Sequence, residues 1–103
     1  MNIKKLSMAL KELEDFLQSC GVIKYASLLA SYRGILDQYI NNPSEYPFPL
    51  ETISNLRKHA FGGMGSLNDL WLCKENGHIV DDESSANEKL DELRERLKDA
   101  LRT

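Results

Sequence analysis

The chain reads as a mostly α protein: a single small domain over residues 1–103, built as a bundle of four helices. Three observations carry that reading. Leucines recur at spacings of three and four near both ends of the chain, as Leu6, Leu10, Leu13 and Leu17, and again as Leu90, Leu93 and Leu97. A further long segment is apolar on most of its sides. The prolines and the glycine cluster fall between these segments rather than inside them.

The first helix is expected over about residues 3–19, where Ile3, Ala9 and Phe16 widen the leucine stripe. Gly21 suits its C-terminal cap. The second is expected over about 22–41. Its polar residues Lys24, Ser27, Ser31, Gly34 and Gln38 form one narrow stripe, which predicts a central, largely buried helix. Arg33 falls on its apolar side, so it should be partly buried and paired with a carboxylate, Asp37 first and Asp69 second. Tyr25, Tyr32 and Tyr39 recur every seven residues, as a packing seam does. Pro43, Pro47 and Pro49 make a stiff, extended linker. Pro49 then suits the first turn of a third helix, about 49–60, with Leu50, Ile53, Leu56 and Ala60 on its buried side.

The stretch from Phe61 to Trp71 holds three of the six glycines and the one tryptophan. Gly62, Gly63 and Gly65 predict a tight reversal that packs Met64 and Leu67 into the core. Ser66 and Asp69 stand three apart, as in a capping box. Asn76-Gly77 lies between two apolar runs, which predicts a short β-hairpin at 71–80; a helix through Leu67, Leu70, Trp71 and Lys74 is the competing reading. The last helix is expected over about 85–101, opened by a second capping box, Ser85 to Glu88.

Composition narrows the function. The chain is 42% hydrophobic and 28% charged, with a net charge of −3. Direct binding of nucleic acid would call for a basic stripe, so a basic protein partner is the better fit. No apolar run approaches the ~20 residues of a membrane helix, and the charged N-terminal region is unlike a signal peptide, so a cytoplasmic protein without membrane contact is expected. Cys20 and Cys73 then read as reduced thiols, a disulfide being the lesser reading.

The glycine segment invites comparison with a phosphate loop. It lacks the lysine and the spacing of G-x-x-x-x-G-K-[ST], and Asp69 would repel phosphate, so no cofactor or small-molecule substrate is expected. His59 and His78 lie outside metal-ligand spacing, and no metal site is assigned. Cys73 with His78 has no third residue to orient the pair. No catalytic residue is assigned, and the chain is not read as an enzyme.

Charge density offers a site. Asp81, Asp82, Glu83, Glu88, Asp91 and Glu92 face one lysine, Lys89. Acids at a helix start gain roughly 0.3–1 kcal/mol each from the helix dipole, which accounts for some of them. The excess predicts a partner-binding face of Asp81, Asp82, Glu83, Asp91 and Glu92. Tyr46 of the proline linker could add a rigid aromatic contact at its edge, with Phe48 packed on the core.

Gly62-Gly63-Met64-Gly65-Ser66-Leu67-Asn68-Asp69-Leu70, followed by Asn87-Glu88-Lys89-Leu90-Asp91-Glu92-Leu93-Arg94, resembles a family of small uncharacterised bacterial domains. These share a G-G-M-G-S-[FL]-N-D signature and a leucine-patterned C-terminal helix, and the likeness spans about residues 61–97. In size and setting they are similar to immunity proteins of interbacterial toxin systems, including those of contact-dependent growth inhibition. The resemblance implies a non-enzymatic cytoplasmic protein that blocks a cognate toxin, a basic nuclease, by occluding its active site. It transfers no residue's role. Two other readings stand beside it: a self-associating helical module with a housekeeping or regulatory role, and a small-ligand binder using the glycine segment.

Overall fold

The computed structural model of the protein describes residues 1–63 and 65–102. It contains four helices: α1 (Ile3–Ser19), α2 (Ile23–Asn41), α3 (Leu50–Phe61) and α4 (Glu83–Leu101). Two short 3₁₀ turns, Leu67–Asp69 and Lys74–Asn76, lie between α3 and α4. The expected small all-α bundle is therefore present. Met64, expected to pack into the core, lies outside the described residues.

α1 is the central element, not α2. It packs against both α2 and α4 and buries Leu6, Leu10, Leu13 and Leu17 completely. A helix that is apolar on most sides stays buried only if neighbours cover those sides. α2 is flanked by α1 and, lightly, by α3. It buries Ala26, Leu29, Tyr32 and Leu36. The stripe of Lys24, Ser27, Ser31, Gly34 and Gln38 faces solvent and takes Leu28 and Ile35 with it.

Gly21, at φ +77°, ends α1 as expected. The Val22 N–H donates to Leu17 O (2.9 Å) and the Gly21 N–H to Gln18 O (3.0 Å), a Schellman pair. Val22 and Leu17 are both buried and seal that corner. The three seam tyrosines each hold one piece of the excursion that follows α2. Tyr39 meets the Phe48 ring edge-on at 5.5 Å. Tyr32 hydrogen-bonds His59 and stacks on it. Tyr25 donates its hydroxyl to Gly65 O (2.9 Å).

In α3, Ile53, Leu56 and Ala60 are buried, but Leu50 is 70% exposed. Pro49 caps the helix from outside, so Leu50 begins it on the solvent side. Gly62 closes α3 in ordinary φ space; a Cβ there would stand 2.2 Å from Lys58 O. Gly63 and Gly65 have φ of +118° and +80°, conformations that side chains resist.

The hairpin at 71–80 is replaced by a turn without strands among the described residues. Asn76-Gly77 does reverse the chain: Gly77 is left-handed at φ +82°, and Cys73 O accepts from the Asn76 and His78 N–H groups. The ladder fails because its groups are engaged elsewhere. Leu72 N–H and C=O both bond the Asn87 side chain at 2.8 Å. The Ile79 N–H donates to Cys20 O at 2.8 Å.

Candidate functional site

The two halves of the signature resemblance meet in space. Arg94 of α4 reaches the carbonyls of Leu67, Asn68 and Leu70 at 3.1–3.2 Å. Asn87, 3% exposed, clasps both backbone groups of Leu72 and also donates to Glu83 O. Together they anchor the segment after the glycine reversal onto α4. The resemblance gives Asn87 and Arg94 no role; two polar residues seven apart, on one side of a leucine-striped helix, were the available signal.

Reciprocal capping by Ser66 and Asp69 does not form. Asp69 accepts instead from the Gly65 N–H at 2.8 Å. The Asp69 N–H, which a capping hydroxyl would take, donates instead to the Ser66 carbonyl at 3.0 Å in the 3₁₀ turn. Its Oγ is buried with no hydrogen-bond partner among the described residues. Gly62, Gly63, Gly65, Ser66 and Asp69 thus shape a reversal.

Arg33 is partly buried and paired, as expected, yet Asp69 is not its partner. Its Nε and Nη2 donate to Glu14 at 2.6 and 3.1 Å, and Nη1 to Asp37 at 3.1 Å. Ser7 adds a bond to Asp37. The Glu14 hydrogen bond, foremost, raises the Arg33 pKa further. Glu14, missed by the sequence reading, lies among the α1 leucines and is 4% exposed. A carboxylate in an apolar stripe was the overlooked signal.

The acidic start of α4 divides in two. Asp91 pairs with Arg94, and Glu92 with Arg96 at 2.6 Å. Arg96 also bridges to Glu12 of α1 at 2.6 Å. The expectation that these acids lack local cations is therefore wrong for Asp91 and Glu92; arginines three or four residues on neutralise them. Asp82 and Glu83 differ. Asp82 is the actual N-cap of α4, three residues before the expected Ser85, and accepts from the Ser85 N–H at 3.2 Å. That bond, with the Ser85 hydroxyl, holds its carboxyl below the usual range. Glu83 accepts from the Lys74 N–H at 2.8 Å. Neutral amide donors stabilise an anion without cancelling its charge. With Glu75 and exposed Asp81, these carboxylates outnumber Lys74, the one cation of the 71–81 loop, and leave its field acidic.

That loop also carries exposed apolar side chains: Trp71 at 60% and Ile79 at 69% exposure. Tyr46, 39% exposed, is instead in the linker beside α2 and α3, within a different depression. The expected face therefore does not form as one surface.

His78 Nδ1 accepts from the Cys73 backbone N–H at 3.0 Å, so the imidazole is engaged by the main chain of that residue. Cys20 and Cys73 are free thiols. Among the described residues no three His, Cys, Asp or Glu side chains are grouped to hold a metal ion, and no helix is long and apolar enough to cross a membrane.

Residues 36–81 match a domain of unknown function, DUF6966. No curated protein and no solved structure matches the chain. The matched stretch runs from late α2 through the linker, α3, the reversal and both 3₁₀ turns to Asp81. It includes Trp71 and Ile79 and stops before α4.

Proposed function

We propose that the protein is a non-enzymatic binding protein that neutralises a basic toxin in the cytoplasm, a nuclease, by covering its active site. One observation carries this reading. The 71–81 loop presents an exposed Trp71 and Ile79 amid carboxylates whose donors are neutral, so an apolar anchor and a negative field share one loop. Tryptophan is enriched among the residues that dominate binding energy. A nuclease holds its substrate backbone with cations, which an acidic surface can cover and capture quickly. The signature resemblance to immunity proteins points the same way. Asp81, Asp82 and Glu83 belong to this surface; Asp91 and Glu92, neutralised by arginines, are left out of it.

The test pairs the chain with the product of the neighbouring upstream gene. Tight binding that weakens with salt, and protection of cells making that product, are expected. Trp71→Ala combined with Asp81→Lys should weaken binding on the order of a hundredfold and flatten its salt dependence, with the melting temperature kept. Absence of binding and of protection would reject the proposal. Binding indifferent to both substitutions would move the surface away from this loop.

A further inference from the structure

Among the described residues, five of the ten large, exposed apolar side chains lie along one side of the molecule, on α2, the linker and the start of α3: Leu28, Ile35, Tyr46, Phe48 and Leu50. They line two depressions that open on the same α2 stripe. One, of about 460 Å³, lies between Lys24, Leu28, Ser31 and His59. The other, of about 310 Å³, lies between Ile35, Gln38, Phe48 and Glu51. α2 and α3 run antiparallel, so the pair form a shallow trough along α2. Gly34 sits in the exposed stripe with nothing within 4 Å of where its Cβ would be. Glycine inside a helix costs roughly 0.5–1 kcal/mol relative to alanine, and no contact within the fold calls for it here.

The geometry points to a second copy of this chain as the occupant of the trough, docked antiparallel across α2. The two ends of the trough carry opposite charge: Lys24 lines one depression and Glu51 the other. A two-fold axis near Ser31 exchanges the ends, which sets Lys24 against Glu51 of the second copy and Leu28 beside Ile35 of the second copy. Each contact is then made twice, as an isologous interface requires. Ser27, Ser31 and Gly34 keep the crossing point low enough for close backbone approach. A foreign partner would have to carry this same charge order by coincidence; a second copy carries it by construction of the symmetry. The inference does not rest on the toxin-binding proposal, which uses another surface.

Sedimentation velocity of the pure protein over a wide concentration range tests it. A reversible dimer is expected. Leu28→Asp with Ile35→Asp should leave a folded monomer, because both positions are exposed. Lys24→Glu alone and Glu51→Lys alone should each raise the dimer Kd on the order of tenfold. The double charge exchange should restore it. A wild-type monomer at every concentration would overturn the inference. So would a dimer unaffected by the Asp pair, or single charge reversals that the double exchange does not rescue.

Discussion

A serine and an acid three residues apart can cap each other or serve separate groups, and stability tells which. Asp69 receives the Gly65 N–H, whereas the Ser66 hydroxyl is buried without a partner among the described residues. Asp69→Ala should therefore cost about 0.5–2 kcal/mol. Ser66→Ala should cost nothing, because removing an unpaired buried hydroxyl relieves desolvation. A comparable loss in both, by chemical denaturation, would restore reciprocal capping. Arg33 poses the same kind of question. Its side chain is 26% exposed and that of Glu14 only 6%. Arg33→Met should destabilise by about 3 kcal/mol, at the low end for a broken buried pair, since it strands the Glu14 carboxylate. Arg33→Met with Glu14→Leu should recover most of that loss. If the double variant is no more stable than the single, Glu14 is not the group that needs Arg33.

At the scale of elements, α4 starts at a cap whose charge makes stability depend on acid. Asp82 has a lower pKa folded than unfolded, so its contribution is complete above the ordinary aspartate range, near 3.9, and is lost as pH falls through the folded value. Asp82→Asn keeps an acceptor at the cap but removes that titration. Its melting temperature should fall less steeply below about pH 4 than that of the wild type; parallel acid limbs would show that the shift lies elsewhere. The helices themselves were legible because Leu6 to Leu17 and Leu90 to Leu97 repeat with the helical period, and Gly21 and Gly62 mark the ends. The hairpin was misread because turn chemistry at Asn76-Gly77 is local, whereas the capture of Leu72 by Asn87 is not. The acidic face was misread in part for a similar reason. Spacing lets Arg94 and Arg96 neutralise Asp91 and Glu92, but the sequence weighs a run of acids before it weighs the arginines that follow. Trp71 stood out in the sequence, yet only its exposure separates an anchor from a core residue.

Across the whole molecule the packing is uneven. α1 is held between α2 and α4, while α3 leans lightly on α2 and the first 3₁₀ turn. The excursion from the linker to the reversal is fastened by Ile53, Leu56 and Ala60 in the core, by the tyrosine seam, and by Arg57, which donates to Leu101 O at 2.6 Å. Regions with few buried contacts open locally before the protein unfolds globally. Amides of α3 should therefore exchange by a sub-global opening, and those of α1 only on complete unfolding. Tyr32 separates the two events. Burial raises its phenol pKa, so the hydroxyl stays protonated and hydrogen-bonded to His59 at neutral pH. Tyr32→Phe keeps the buried ring and removes only the bond that crosses to α3. The exposed His59 can turn to water, so global stability should change little. Native-state hydrogen exchange should then show lower protection in α3 and unchanged protection in α1. Equal loss in both helices would mean that α3 belongs to the same cooperative unit as the α1 core, and that the seam holds the bundle rather than the excursion.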